Sequence, residues 1–448
     1  MTIKNSTFGE LTVAAALCSS AIMCASTASA AGFQLTEQSV AGMGRAHAGA
    51  GIVGDDVSAI HFNPAGMTLL HGLQTTVAGT YVSLDIDYKG SKKNARENGR
   101  DKPASIPAAF LSYQVNDSLW LGLAITSPYG MRIRYGSDWA ESQRGISGSV
   151  TTVDINPNIA WKVNDYISLG GGVSALWTHS KIKSGLPVGG GQFEYKGSDW
   201  MFTYNLGLMV SPMEDLRFGV SYRSSAHVTA RGDYYIRNNK IMNSEGDGKG
   251  RLQTPETVYI SATWKPIQKL RLSGLARWAN WKKFEDMRFS MDDSGNLKKT
   301  PEAPLYLAGI AQNMGYPPSY GELAGGILQN KFANISIENN WKAAWLFSLG
   351  ADLDITDQWT IRGGVALETD PIKQQNLRTA LIPDTKRLWL TCGLSWKPTP
   401  KWQIDMAYGH IRGIGHRDLY KEPGSNEKVG KFEKMNAWMA GAAVTYRF

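Results

Sequence analysis

The residues that could perform catalysis are scattered along this chain rather than grouped. Its seven His residues share no recognisable spacing with a Ser nucleophile, an Asp or a Cys. The glycine runs at 170–172 and 189–191 do not lead into predicted helices, so they do not form phosphate-binding loops. The sequence therefore predicts a protein that is not an enzyme, with no catalytic residues, no metal and no cofactor.

The composition favours the binding of anions instead. Lys and Arg outnumber Asp and Glu by 47 to 39, which gives a formal net charge of +8. No nucleic-acid recognition motif accompanies this charge, so we expect no nucleic-acid partner. A carboxylate ligand or anionic lipopolysaccharide fits the charge better, although most of these cations are expected to be solvated in loops.

Long stretches of the chain alternate between apolar and polar residues, which is the pattern of β-strands. In the segment 153–161, Val153, Ile155 and Ile159 share one face, and Asp or Asn occupies most of the other. Similar alternation recurs at 167–177, 200–210, 216–222, 258–264, 345–353, 359–367, 388–396 and 402–408. With the less regular segments included, the pattern predicts about 14 antiparallel strands.

Aromatic residues near the strand ends distinguish a membrane barrel from a soluble sandwich, because transmembrane barrels carry a girdle at each interface. One girdle is predicted to contain Trp120, Trp161, Trp264, Trp359, Trp396 and Trp402, and the other Trp177, Trp200, Tyr222, Trp345 and Trp438. Tight turns such as 164–165 alternate with long polar loops such as 181–198, 224–253 and 292–342. We therefore predict an all-β fold, a transmembrane β-barrel over residues 73–448 with long extracellular loops.

The first 30 residues have the pattern of a secretory signal peptide. Lys4 precedes an apolar core, and Ala28-Ser29-Ala30 matches a cleavage site, so the mature chain would begin at Ala31. Cys18 and Cys24 lie in the removed segment. The mature chain would keep Cys392 alone and could form no intrachain disulfide.

The segment 31–72 differs from the rest because it is rich in small residues and lacks long alternating runs. It also contains apolar residues such as Phe33, Ile52 and Phe62, which a flexible linker would not need. A barrel wide enough to form a channel needs something in its lumen to limit leakage. We therefore predict that residues 31–72 form a hatch, a plug that lies inside the barrel.

These features resemble the FadL-type family of outer-membrane transporters of long-chain fatty acids and other hydrophobic compounds. The resemblance is carried by Ala31 to Leu35, by Asn63-Pro64-Ala65, which matches the family's NPA hatch motif, and by the run from Asp357 to Leu390. It implies a monomer in the outer membrane of a Gram-negative bacterium. The final strand, which ends on Phe448, resembles the signal read by the barrel assembly machinery.

The resemblance also implies where cargo binds and leaves. It places Phe33 against a deep ligand pocket and predicts that Asn63, Pro64 and Ala65 meet an inward kink of the third strand. That strand is predicted at 119–126 and ends in Ser127-Pro128-Tyr129-Gly130, so Pro128 and Gly130 are candidate gating residues. A kink breaks ladder hydrogen bonds, and cargo could then leave sideways into the bilayer.

The cationic residues of the family's pocket match less well. One pocket arginine falls near Ser184, so Lys181 or Lys183 is the candidate substitute, and a second cation falls at Lys298 or Lys299. Long-chain fatty acids are the first expected cargo, and an aromatic-hydrocarbon channel of the same family is the alternative. An outer-membrane lipid-acting enzyme is disfavoured because no nucleophile signature is present, and a general aqueous porin is disfavoured by the hatch.

Overall fold

A computed structural model describes residues 32–91, 96–99, 103–292, 298–313, 315–421 and 425–448. The predicted signal peptide, residues 1–30, lies outside the described residues. The strands are β1 (Leu73–Gly90), β2 (Arg96–Asn98), β3 (Ala104–Gln114), β4 (Leu119–Thr126), β5 (Gly130–Arg134), β6 (Ser147–Lys162), β7 (Ile167–Gly185), β8 (Gln192–Met213), β9 (Leu216–Arg223), β10 (His227–Arg237), β11 (Met242–Gln253), β12 (Glu256–Ile267), β13 (Leu270–Asn280), β14 (Asp286–Met291), β15 (Lys298–Lys299), β16 (Asn334–Glu338), β17 (Ala344–Asp354), β18 (Trp359–Glu368), β19 (Arg387–Thr399), β20 (Trp402–Gly413), β21 (Asp418–Tyr420) and β22 (Lys428–Arg447).

These strands form one closed antiparallel barrel. β1 pairs with β3 on one side and with the last strand, β22, on the other, which closes the sheet. Several wall strands are interrupted, so pairs such as β4 and β5, β9 and β10, and β11 and β12 act as single strands. Counted in this way the wall has 14 strands, as the alternation predicted. Closure leaves no open sheet edge in the lipid.

The alternation separates a lipid-facing surface from a filled interior. On β8, for example, Phe202 is 83% exposed and Leu206 is 55% exposed, whereas the neighbouring Thr203 and Asn205 are buried. Exposed apolar side chains around a closed wall are typical of a barrel whose outer face contacts lipid. Both predicted girdles are present except at Trp120, where the prediction was wrong. Its side chain points inward, is 2% exposed and donates a hydrogen bond of 2.7 Å to the carbonyl oxygen of Leu70.

Two of the predicted long loops are largely strand. β7 continues to Gly185 and β8 begins at Gln192, so most of the predicted 181–198 loop is strand. β10 and β11 likewise fill most of 227–253, and this side of the barrel therefore extends well beyond its outer girdle. The period-2 pattern continues there, but polar residues occupy the exposed positions because these extensions lie above the hydrocarbon layer of the membrane. The loop after β15 instead contains two helices, Ala303–Asn313 and Gly321–Ala333. Among the described residues, no helix has both the length and the apolar character needed to cross a membrane.

The N-terminal segment, residues 32–72, is almost entirely buried and is surrounded by the strands. It contains the short helices α1 (Val40–Gly44) and α2 (Ala59–Phe62) and a 3-10 helix at Pro64–Leu69. Ser39 caps α1 by accepting a hydrogen bond of 2.9 Å from the backbone N–H of Gly42. α1 contacts β19, β20 and β22, and the 3-10 helix contacts β6, β7 and β8 on a different part of the wall. The segment therefore spans the space that the barrel encloses.

Candidate functional site

The side chain of Phe33 lies in a cage of aromatic rings in the upper part of the barrel. Its ring centre is 4.9 Å from that of Trp281, 5.4 Å from that of Phe284 and 6.1 Å from that of Tyr129. All three contacts have the edge-to-face geometry that aromatic pairs favour. Phe33 is 1% exposed, so its ring is almost completely shielded from solvent.

The backbone around Phe33 pairs with the break between β4 and β5. The N–H of Gly130 donates to the carbonyl oxygen of Phe33, and the N–H of Leu35 donates to that of Pro128, both at 2.8 Å. Gln38 completes the contact, because its side chain donates to the carbonyl oxygen of Ser127 at 2.7 Å. The N-terminal segment thus forms an isolated antiparallel bridge between Gln34 and Tyr129, and it satisfies backbone polar groups at the break in the ladder.

The wall beside this break is incompletely paired. The ladder between β3 and β4 ends at the pair Ala109 and Ile125, so the first part of β3 lacks a partner on that side. Between β4 and β6 the register ends at Thr126 opposite Asp154, and β5 resumes at Gly130 opposite Thr151. Pro128 has no N–H to donate, which explains why the interruption falls at this residue. The ladder of the third wall strand is therefore interrupted where the kink was predicted.

The Asn63-Pro64-Ala65 turn lies elsewhere, and the prediction that it meets the kink was wrong. The side chain of Asn63 accepts from the N–H of Ala65 at 3.1 Å and donates to the carbonyl oxygen of Leu208 at 3.0 Å. The turn packs against three wall glycines, Gly170, Gly207 and Gly219. A Cβ atom on Gly207 would lie 2.1 Å from Oδ1 of Asn63, so the absence of side chains creates the space for the turn.

A cluster of buried charges fixes the lower part of the N-terminal segment to the wall. Arg45 forms an ion pair of 2.6 Å with Asp55 of the same segment, and it also reaches Asp352 on β17 at 3.4 Å. Arg362 on β18 contacts Asp55, Asp352 and Asp405 at 3.3, 3.2 and 3.1 Å. Sequence reasoning missed this cluster, although Arg362 stands out as a charge at an inward position of an alternating strand.

At the opposite end of the segment, Asp384 holds the chain just before Phe33. The backbone N–H of Gly32 donates to the carboxylate of Asp384 at 2.6 Å, and Arg387 donates to the same group at 2.7 Å. Burial raises the pKa of Asp384 to about 7, against the lowering effects of Arg387 and of the Gly32 N–H. Nothing in the sequence alone joins residue 32 to residue 384.

An apolar cleft lies next to Asp384 and contains two arginines. Its volume is about 40 Å³, and it is lined by Leu84, Ile86, Met131, Arg132, Ile133, Leu381, Ile382, Pro383, Arg387, Ile411, Met435, Asn436 and Ala437. Such a volume holds a few water molecules, far less than the roughly 300–1,000 Å³ of pockets for drug-sized ligands. A long apolar ligand can enter only if the surrounding residues move.

The four lysines predicted to bind a carboxylate are not at this cleft, and that placement is corrected. Lys181 is exposed on the outer face of β7 and pairs with Glu194 at 2.8 Å, and Lys183 lies two residues further on the same face. Lys298 and Lys299 are exposed on β15, which pairs with Met242 and Asn243. The strand alternation explains why Lys181 and Lys183 are not at the cleft, because odd-numbered residues of β7 face outward.

Comparison with known proteins places this geometry in a family. The family model described as "Outer membrane protein transport protein (OMPP1/FadL/TodX)" matches residues 21–448. The chain is 23% identical over 465 residues to a long-chain fatty acid transport protein of Escherichia coli O157:H7, with 93% of this chain and 94% of that protein covered.

Two solved structures have the same fold. The crystal structure of a Pseudomonas aeruginosa FadL homologue matches with a TM-score of 0.75 at 20% identity, covering 93% of this chain and 99% of that one. The toluene transporter TodX of P. putida matches with a TM-score of 0.68 at 13% identity, covering 88% and 94%. The chain therefore belongs to the FadL/TodX family of outer-membrane channels for hydrophobic substrates, and it is a β-barrel protein of the Gram-negative outer membrane.

Proposed function

We propose that this protein takes up long-chain fatty acids by diffusion, with residues 32–38 as the gate and the β4–β5 break as a lateral exit. The observation that carries the proposal is the pairing of Phe33 and Leu35 with Pro128 and Gly130. One short stretch of backbone both fills the aromatic cage and covers the break in the wall. Displacing that stretch would open the interior space and the side of the barrel together.

The cleft beside Asp384 supports a carboxylate cargo. Its walls are mainly Ile, Leu and Met, which suit an alkyl chain, and Arg132 and Arg387 are the cations within it. An arginine can pair with a carboxylate through two parallel hydrogen bonds, so it orients the ligand as well as attracting it. The relative from E. coli, described as a long-chain fatty acid transporter, is in accord with this cargo.

The Phe33 cage supports the alternative cargo, a monoaromatic hydrocarbon. The benzyl side chain of Phe33 has the size and chemistry of toluene, and it is already held by three aromatic rings. A free aromatic ring could occupy the same cage once Phe33 leaves. The toluene transporter among the structural neighbours has this type of cargo.

Binding measurements with purified protein distinguish the two cargoes. We expect saturable binding of oleate, at least about tenfold weaker binding in Arg132→Gln and Arg387→Gln, and no such loss for methyl oleate. Lys181→Gln and Lys298→Gln serve as matched controls, because they remove a positive charge away from the cleft. Saturable binding of toluene without binding of oleate would replace the fatty acid by the hydrocarbon.

A further inference from the structure

A group of cations lies on the outer face of the barrel just above the outer girdle. Arg231 on β10 is directly opposite Lys249 on β11, and Arg251 on β11 is directly opposite Arg288 on β14. Directly paired residues on one face of a sheet have Cβ atoms about 4.5–5.5 Å apart, so like charges there repel each other. We define these four residues as the outer cationic quartet.

The quartet faces outward and not toward the lumen. On β10 the alternate residues Val228, Ala230 and Tyr234 are buried, whereas Arg231 is exposed. On β11 Arg251 is exposed as well, and the side chain of Arg288 is 63% exposed. The quartet therefore does not belong to the cargo path proposed above.

Two of the four members of the quartet form ion pairs with acidic side chains. Lys249 pairs with Asp292 at 2.7 Å, and Arg288 pairs with Asp286 at 2.5 Å. Within the described residues, Arg231 and Arg251 have no acidic partner. Asp233 and Asp247 lie two positions from Arg231 and Lys249 on the same strands, and Asp233 is paired with Lys196 at 3.2 Å. The exposed guanidinium groups of Arg231 and Arg251 therefore remain able to donate hydrogen bonds to an anion.

The height of the quartet indicates which anion it would meet. Arg231 is paired with Ser198 on β8, and Ser198 is two residues from Trp200, an exposed residue of the outer girdle. Two residues of strand correspond to about 7 Å, so Arg231 lies just beyond the lipid boundary. At this level, on a surface that faces the bilayer's outer leaflet, the anionic groups are those of lipid headgroups.

The neighbouring side chains fit a phosphate group. Thr229 and Ser290 occupy positions paired with Arg251 and Lys249 on adjacent strands. Ser198 and Ser336 are paired with Arg231 and Arg288, but the hydroxyl of Ser336 donates to Asp286 and that of Ser198 contacts His179. Hydroxyl groups donate single hydrogen bonds to phosphate oxygens, and arginine binds phosphate through two parallel N–H groups. Arginine is better suited than lysine to this bidentate geometry.

We infer that the outer cationic quartet, with Arg231 and Arg251 at its centre, binds a phosphorylated glycolipid of the outer leaflet, that is, the phosphate groups of lipopolysaccharide. The site anchors the protein laterally in its membrane and is separate from transport. It does not depend on which cargo the channel carries.

The test uses the purified full-length barrel in a mild detergent and measures binding of lipopolysaccharide by native mass spectrometry. We expect Arg231→Gln/Arg251→Gln to bind at least about tenfold more weakly than wild type. The control, Lys397→Gln/Lys401→Gln, removes the same charge at the opposite end of the barrel and should bind as wild type does. Dephosphorylated lipopolysaccharide should bind wild type as weakly as the intact lipid binds the double variant.

Further measurements identify the source of the phosphate and distinguish loss of the site from misfolding of the double variant. If millimolar inorganic phosphate occupied the site as fully as lipopolysaccharide does, the glycolipid assignment would be contradicted. Unchanged lipopolysaccharide binding in Arg231→Gln/Arg251→Gln would overturn the site itself. Arg231→Lys/Arg251→Lys keeps the charge and should recover part of the affinity. In wild type, affinity should fall steeply between 50 and 500 mM salt, because exposed charges are screened. Salt-independent binding would also overturn the proposal.

Discussion

The backbone N–H of Gly32 lies 2.6 Å from a carboxylate oxygen of Asp384, and this bond ties the start of the N-terminal segment to the loop before β19. The two residues are 352 positions apart in the chain. The bond holds the backbone next to Phe33, whose ring lies inside its aromatic cage. A change in the charge or geometry of Asp384 is therefore expected to change the position of residues 32–38, the proposed gate.

The ionisation of Asp384 should make the attachment of residues 32–38 depend on pH. Burial raises its pKa to about 7 from an ordinary value near 4, so the folded protein binds a proton more tightly than the unfolded chain. The stability contributed by this proton is complete below about pH 4 and is lost as the pH rises to about 7. Hydrogen exchange of the Leu35 amide should therefore be slower at pH 5 than at pH 8, after correction for intrinsic rates.

The variant Asp384→Asn provides the control for that measurement. An amide has nearly the same shape as the carboxyl group but does not titrate in this range. The corrected exchange rate of Leu35 should then become nearly independent of pH between 5 and 8. A pH dependence that survives in Asp384→Asn would assign the effect to another group.

Replacing Phe33 by Ala should leave an aromatic-lined cavity. Truncating a buried Phe typically costs about 3–5 kcal/mol, and apolar cavities of this kind bind benzene-sized molecules. We expect Phe33→Ala to bind toluene at least about tenfold more tightly than wild type, as measured by a ligand-dependent rise in melting temperature. Phe33→Leu fills part of the cavity and should lie between the two, whereas equal toluene affinity in all three proteins would show that the cage does not hold a ligand.

A side chain at Gly207 should displace the Asn63-Pro64-Ala65 turn. A Cβ atom there would lie 2.1 Å from Oδ1 of Asn63, and overpacking of this kind costs about 1–3 kcal/mol. We expect Gly207→Ala to lower the urea midpoint of unfolding in detergent and to raise ion conductance through planar bilayers. The matched variant Gly363→Ala, on a strand position with nothing within 4 Å of a new Cβ, should match wild type in both measurements.

Removing Arg362 should destabilise the protein more than removing an exposed cation. Arg362→Met would leave Asp352 and Asp405 buried with one partner fewer, and breaking a buried pair typically costs about 3–5 kcal/mol. Lys428→Met, which breaks an exposed pair with Asp418, should cost about 1 kcal/mol or less. Similar free energies of unfolding for the two variants would mean that the buried cluster does not anchor the segment.

Alternation and composition predicted the wall of this barrel well, because each strand must separate lipid from a filled interior. The break at Pro128 was also predictable, since a proline cannot donate to the ladder. Trp120 was misassigned because a Trp near a strand end serves a girdle or the interior equally well in sequence. Only its bond to Leu70 decides between them.

The site was harder to predict than the wall because it joins distant residues. The lysines at 181, 183, 298 and 299 were predicted from their position along the chain alone. They are not at the cleft because Lys181 and Lys183 lie on the outer face of β7 and Lys298 and Lys299 lie on β15. Arg132 and Arg387 are far apart in the sequence and line the same cleft together with residues 381–383 of the loop before β19. Three wall glycines gave no signal of their own until the turn that they accommodate was known.

The charges around Arg45 and Arg362 determine which end of the N-terminal segment can detach from the wall. Breaking a buried ion pair typically costs about 3–5 kcal/mol, whereas each backbone hydrogen bond at Phe33 and Leu35 is worth about 1 kcal/mol and the burial of the Phe33 ring adds to them. On the gating proposed above, the outer tip would therefore detach before the base, and no energised inner-membrane machine would be needed to remove the plug. Uptake by this thermally opened gate would continue in cells whose proton-motive force has been collapsed.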